Sequence, residues 1–264
     1  MVLAQSEVSV LMTVYNGQSY IGDAIKSLIN QSFKKWKLII VDDASTDNSL
    51  NEIKKFKDSR VKIYKLKKRV GRMKAFNYGL RYCKSDFIAV LDADDISHKR
   101  RFEKQINFFK KNSNASVIGT WFNHIDSKGK IFAKMKPTTK VNEIRKKLII
   151  SNIIAHSTIM FRRSILKKIK GYSKLKYAID YGFILKVLKK RLNIMVIPEF
   201  LCSCRFHNKR ISANPKFQKM ILNEKLYLLN WSKNNFKFDL LDEYNYMFEK
   251  VKTLIKLFKI NFAN

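Results

Sequence analysis

Residues 86–95 read DFIAVLDADD, so Asp92, Asp94 and Asp95 crowd the end of an apolar run. The chain carries 54 Lys and Arg against 21 Asp and Glu, a formal net charge of +33. Carboxylates are therefore scarce, and gathering three of them costs mutual repulsion unless a cation or oriented donors sit between them. An Asp-x-Asp on a strand-end loop can turn two carboxylates to one side. A divalent cation there finds oxygen ligands and keeps positions for water and phosphate oxygens. The other reading of the same letters is a solvated Asp-rich turn or a helix cap. A second pair, Asp42 and Asp43, closes another apolar run, and the recurrence favours a site.

The elements that must position these residues alternate between two periods. Residues 7–15 pattern as a strand, and 18–32 place Ile21, Ala24, Ile25, Leu28 and Ile29 on one helical stripe. Residues 36–43 form a second strand, followed over 44–56 by a helix that Ser45 or Asp47 can cap. A third strand (60–66), a third helix (71–85) and a fourth strand (86–92) follow. This alternation predicts right-handed βαβ units and an α/β fold, a mostly parallel sheet covered on both faces by helices. Ligands of such sheets bind beyond the carboxyl ends of the strands. Tyr15, Asn16 and Gly17, then Asp42 and Asp43, then Asp92, Asp94 and Asp95 all fall at such ends. Three strand ends thus converge on one edge.

Beyond Asp95 the spacing predicts a helix over 99–112, strands over 115–126 and 131–136, and a helix over 140–150. A strand leading into a helix follows over 156–164, then a helix over 177–191 and two short strands around Pro198 over 193–207. From Pro215 onward the chain reads as helical.

The bulk numbers fit a folded chain: 264 residues, 46% hydrophobic, 12% aromatic and 3 prolines. No run approaches the length of a membrane span. The N-terminus lacks a basic segment ahead of its apolar run, so it does not read as a signal peptide. Cys83, Cys202 and Cys204 form no disulfide framework and no zinc spacing, which suits a reduced, cytoplasmic setting. The glycine signatures of P-loop and dinucleotide-binding proteins are missing. The positive charge is either an attraction for an anionic partner or a compositional habit, since the lysines are spread over every helix.

In order and spacing, SVLMTVYNGQSYIGDAIKSLINQSFKKWKLIIVDDASTDNS, GRMKAFNYGL, DFIAVLDADD, HSTIMFRRS, YAIDYGF and CRFHNKRIS resemble the family 2 glycosyltransferases with a GT-A fold, over about residues 8–212. The resemblance implies transfer of a sugar, with inversion, from a UDP- or GDP-linked donor to an acceptor hydroxyl. It implies a Rossmann-like GT-A domain over 1–212, with a nucleotide-sugar half (about 1–97) and an acceptor half (about 98–212). A helical extension over 213–264 follows.

Carried over residue by residue, Thr13, Tyr15 and Asn16 would line the base pocket, Thr13 standing where many relatives carry Pro. Asp42 would accept a hydrogen bond from base or ribose, with Asp43 close by and Arg72 among the nucleotide contacts. Asp92 would face ribose or metal. Asp94 would be the main ligand of Mn²⁺ or Mg²⁺, bridging to the diphosphate, with Asp95 behind it. His207 would reach the metal or diphosphate, and Arg205 would pair with phosphate; strand-end packing is the other reading for both. His156 falls on the acceptor side or is a structural histidine. Asp180 would be the general base, or a helix cap, and Ile179 replaces the Glu of the usual acidic pair.

These roles imply a nucleotide-sugar donor, and a glycan or lipid-linked glycan acceptor in cell-surface polysaccharide or lipopolysaccharide synthesis. A nucleic-acid-binding protein and a catalytically degenerate homologue are the rival readings; the transferase itself expects no nucleic acid. The C-terminal segment is a basic amphipathic helix with Met247, Phe248, Val251, Leu254, Ile255 and Phe258 on one stripe. Such a helix either lies on an anionic membrane surface, at the inner face of the cell membrane, or packs its stripe on the catalytic domain.

Overall fold

The computed structural model describes residues 7–208, 210 and 213–262. The first six residues, read above as no signal peptide, lie outside the described residues. So do Lys209, Ile211 and Ser212 at the end of the last motif.

The chain opens with three β-then-α units. They are β1 (Val8–Val14) and α1 (Ile21–Ile29), β2 (Trp36–Asp42) and α2 (Ser49–Lys54), and β3 (Val61–Lys65) and α3 (Arg72–Leu80). Then come β4 (Phe87–Val90), β5 (Ile96–Ser97), α4 (Arg101–Lys111), β6 (Ala115–Ile125), β7 (Ile131–Met135) and α5 (Val141–Ile150). Next are a 3-10 turn at His156–Thr158, β8 (Met160–Arg162), a second 3-10 turn at Arg163–Ile165, and α6 (Leu166–Ile169). α7 (Ile179–Lys189), β9 (Asn193–Arg205), α8 (Pro215–Asn235) and α9 (Leu240–Phe262) complete the order.

All nine described strands join one sheet in the order β3-β2-β1-β4-β8-β6-β9-β5, with β7 paired to β6. β3, β2, β1 and β4 run parallel to their neighbours, and antiparallel β8 links them to β6. The architecture is the expected α/β one: a mixed, mostly parallel sheet with helices, followed by C-terminal helices. β1 and β2 are buried along nearly their whole length, as strands covered on both faces must be. Leu11, Ile39 and Val90 belong to the core on one face with Phe76 of α3 and Phe183 of α7. Val10, Ile40 and Ala89 belong to the core on the other, with Ile25 of α1 and Phe102 of α4. The alternation along each strand assigns successive side chains to opposite layers.

Three elements differ from their sequence expectation. The segment around Pro198 is one long strand. Ile197 pairs with Thr120 and Phe200 with Trp121, so Pro198 and Glu199 bulge out where proline has no N–H to donate. The two-residue β5 was not foreseen; it pairs antiparallel with Cys202 and Ser203 of β9. Neither Ser45 nor Asp47 is the N-cap of α2. Asn48 holds that place, Asp47 accepts the Ser49 N–H at 3.0 Å, and Ser45 serves the neighbouring loop.

Candidate active site

The loop after β1 is stitched to the loop after β2. Asn16, in left-handed conformation at φ 55°, donates its N–H to Ser45 Oγ at 3.0 Å and accepts the Thr46 N–H on its side chain at 2.8 Å. Gly17 N–H reaches Ser49 Oγ at 2.8 Å, and Gln18 N–H reaches Asp47 at 3.0 Å. Parallel pairing of Val14 with Asp42 brings both loops to one edge, as the sequence predicts. Tyr15 stands exposed there with the Arg69 guanidinium 3.8 Å above its ring, and Thr13 is half-buried below it.

The two aspartates that end β2 divide their work. Asp42 is fully buried; its Oδ1 accepts the Ser45 N–H at 3.1 Å, while Oδ2 is buried without a partner. An unsatisfied buried carboxylate oxygen is costly, and a donor from a bound ligand relieves that cost. Asp43 instead accepts the backbone N–H groups of Val70 and Gly71 at 2.7 and 2.9 Å. Its carboxylate therefore shapes the turn into α3, and Gly71 at φ 89° is the residue that permits the turn.

α3 begins at Arg72, whose Nη2 lies 2.8 and 2.7 Å from the two oxygens of Asp92 and 3.1 Å from His156 Nδ1. Burial pulls the Arg72 pKa down, and the charges of Asp92, Asp180 and Asp94 more than reverse it, so the guanidinium is firmly cationic. Burial likewise raises Asp92, and Arg72 and then His156 hold it below the usual carboxylate range. His156 is buried between Asp92, 3.2 Å from Nδ1, and the Tyr172 hydroxyl, 2.8 Å from Nε2. It braces Asp92.

Asp94 Oδ2 lies 3.0 Å from His207 Nε2. The His207 ring packs 4.5 Å from that of Tyr20, and its Nδ1 is buried without a partner. Asp95 turns the other way: it is buried, accepts the Arg205 N–H at 2.8 Å and pairs with the Ser157 hydroxyl. Burial first, then the Asp94 charge, pushes its pKa well above the ordinary value.

For Arg205 the sequence left phosphate pairing and strand-end packing open; its guanidinium is buried and engaged within the chain, which favours the packing reading. Nε donates to the Asp94 carbonyl, Nη1 to the Ser127 carbonyl and Nη2 to Asp23 Oδ2, each at 3.0 Å. It fixes the Asp94 turn from behind.

Asp180 is half-buried in the first turn of α7, with Ala178 and not Asp180 at the N-cap position. Its Oδ2 accepts from Asn152 Nδ2 at 3.0 Å, and its charge is felt by Arg72. Ile179, in place of an acid, is fully buried in the core. The start of α7 is held by Glu224 of α8, which accepts the N–H groups of Lys176, Tyr177 and Ala178 at 2.7, 2.9 and 2.9 Å.

Among the described residues no group of three or more His, Cys, Asp or Glu side chains is arranged to hold a metal ion. The Asp94–His207 pair does offer one oxygen and one nitrogen side by side. A carboxylate oxygen beside an imidazole nitrogen fits Mn²⁺, and fits less well the all-oxygen preference of Mg²⁺. Sequence reasoning missed Asp23, Ser157, Tyr172, Asn152 and Glu224. Ser157 adjoins His156, but the others act through contacts across the fold that no local spacing announces.

Residues 9–170 match the family model Glycosyl transferase family 2. The chain is 31% identical over 216 residues to the Escherichia coli UDP-Glc:alpha-D-GlcNAc-diphosphoundecaprenol beta-1,3-glucosyltransferase WfgD, covering 81% of this chain and 82% of that protein. Among solved structures, TarS 1-349 of S. aureus in complex with UDP-GlcNAc superposes with a TM-score of 0.69 at 19% identity, over 97% of this chain and 73% of the other. The mannosyltransferase PcManGT of Pyrobaculum calidifontis, in complex with GDP-Man and Mn²⁺, superposes with a TM-score of 0.69 at 14% identity, over 96% and 75%. The fold, the match across more than half of the sequence and the relative's identity agree: the chain belongs to glycosyl transferase family 2.

Proposed function

We propose that the chain transfers a sugar, with inversion, from a UDP- or GDP-linked donor to a hydroxyl of a lipid-linked glycan. The work is done at the cytoplasmic face of a membrane, during cell-surface polysaccharide synthesis. The observation that carries this reading is the convergence on one sheet edge of the partnerless Asp42 Oδ2, the Arg72–Asp92 pair, the Asp94–His207 pair and Asp180.

In this reading the base and ribose lie over the β1 and β2 loops, with Asp42 Oδ2 accepting one of their hydrogens. Asp94 and His207 would hold Mn²⁺ or Mg²⁺. The bound ion supplies neutralisation of the leaving diphosphate. Asp92, kept ionised by Arg72, orients the donor. Asp180 Oδ1 takes the proton of the acceptor hydroxyl as that oxygen attacks the anomeric carbon from the face opposite the diphosphate, while Asn152 fixes Oδ2. The anomeric carbon–oxygen bond to the diphosphate breaks as the new bond forms. Positioning supplies much of the rate.

The WfgD name specifies a UDP-linked donor and a diphosphoundecaprenol-linked acceptor, and the TarS and PcManGT complexes carry UDP-GlcNAc and GDP-Man. These support the donor and acceptor classes proposed. Calorimetric titration with UDP and GDP, each with and without Mn²⁺, tests the reading. Metal-dependent binding of one nucleotide is expected, and no binding under any condition refutes it. A chain that binds donor but never turns over any acceptor would be a degenerate homologue, with Ile179 as the reason.

A further inference from the structure

Helix α9 turns its apolar face outward. Asp242, Tyr246, Thr253 and Leu257 are its buried residues, on the side that faces the body of the protein. Tyr244, Met247, Phe248, Val251, Leu254 and Ile255 are 67, 51, 57, 48, 46 and 51% exposed. Their spacings of three and four residues place them on one strip of the helix. Single exposed apolar residues are ordinary, whereas a continuous strip marks a contact surface. Of the two readings of the stripe, packing on the catalytic domain is not the one the structure carries: the body of the protein takes the opposite face. The helix spans 23 residues, about 35 Å at its usual rise.

Charge indicates the occupant. At about 100° per residue, Lys252, Lys256 and Lys259 border one side of the strip and Lys250 the other; all but Lys250 are exposed. A second copy seated on the same strip would bring like-charged lysines together, and a net charge of +33 opposes self-association throughout. An anionic surface reverses both terms. Among the described residues no helix is long and apolar enough to cross a membrane, so α9 could meet a bilayer only by lying along it.

We propose that α9 docks the chain on the surface of an anionic lipid bilayer. The strip enters the boundary between headgroups and acyl chains, and the lysine stems extend alongside it with their ammonium groups at the phosphates. α9 packs on α8, and Glu224 of α8 holds the backbone that leads into Asp180. A docked α9 therefore stands two elements from the proposed base. The use of that proximity for a lipid-linked acceptor rests on the function proposed above; the docking itself does not.

Cosedimentation of the full chain with vesicles tests it. Phosphatidylglycerol mixed into phosphatidylcholine should capture the protein, and phosphatidylcholine alone should capture it far less. The double variant Phe248→Ser/Ile255→Ser should lose at least tenfold in lipid affinity, as should Lys252→Glu/Lys256→Glu. Both alter exposed residues, and unchanged circular dichroism and thermal melting verify that each variant is folded. Failure of the wild-type chain to bind either vesicle overturns the proposal, as does vesicle capture that survives both variants. A concentration-dependent dimer abolished by Phe248→Ser/Ile255→Ser, without vesicle binding, assigns the strip to a second copy. Vesicle binding with no nucleotide binding would strike the transferase reading alone.

Discussion

His207 Nε2 sits 3.0 Å from Asp94 Oδ2 although 113 residues separate them. The approach is fixed by β9, whose Ser203 pairs with Ile96 of β5 and whose last residue, Arg205, donates its N–H to Asp95. The Asp-x-Asp turn is thus attached to the strand that delivers the histidine. If Asp94 and His207 hold the ion, Asp94→Ala should abolish the gain in nucleotide affinity that Mn²⁺ confers. His207→Ala should reduce metal affinity by about tenfold or more. Titration calorimetry with and without Mn²⁺ reads both, and an undiminished metal effect in Asp94→Ala excludes that assignment.

Asp180 is the proposed base. Asp180→Asn keeps the side-chain shape and the contact with Asn152 but cannot take a proton, so turnover should fall by roughly 10²–10⁴-fold. Nucleotide affinity should be unchanged. Measured transfer at the wild-type rate would remove Asp180 from the chemistry.

Glu224 is a positioning residue reached only through the extension. Glu224→Ala leaves three N–H groups ahead of α7 without their acceptor, so the turn that carries Asp180 should loosen. The expected result is lower kcat with donor affinity retained, and partial rescue by Glu224→Gln. A uniform loss of all binding and stability would mark Glu224 as part of the general scaffold.

Arg205→Leu should be costly. It leaves the Asp94 and Ser127 carbonyls without their donor and removes the charge beside Asp23. Because Asp23 is largely solvated, the loss should be on the order of 2–4 kcal/mol, read from urea unfolding. Metal affinity should weaken with it, since the same guanidinium holds the Asp94 backbone.

The Arg72–Asp92 pair makes stability depend on acid. Folding lowers the Asp92 pKa from its ordinary 3.8, so the unfolded chain binds the proton more tightly. The pair's contribution is fully present above about pH 5 and is lost as pH falls below 3.8 toward the folded-state pKa. Asp92→Asn should therefore flatten the decline in stability on the acid side. Parallel urea titrations at several acid pH values compare the two slopes, and identical slopes would show that Asp92 is not perturbed by folding.

Much of this protein is legible in the sequence because its first half uses local signals. Alternating periods set β1 to β4 and their helices, and parallel strands must share a carboxyl edge, so Asn16, Asp42, Asp92 and Asp94 were bound to meet. The resemblance of the motifs to a family extended that reading to Asp180 and His207. What local pattern could not give were relations that depend on which distant surfaces pack. Arg205 sits in a motif suited to phosphate, yet its guanidinium is taken up by Asp23 of α1 and by the Asp94 and Ser127 carbonyls. Asp43 has the same chemistry as Asp42 but faces the Val70–Gly71 backbone. The stripe of α9 was plain as a period; its direction was not, because periodicity defines a face and only packing decides whether that face turns toward the core or away from it. In this chain α5, α7 and α8 supply the layer, the tyrosine and threonine side of α9 joins it, and the apolar side remains for a surface outside the fold.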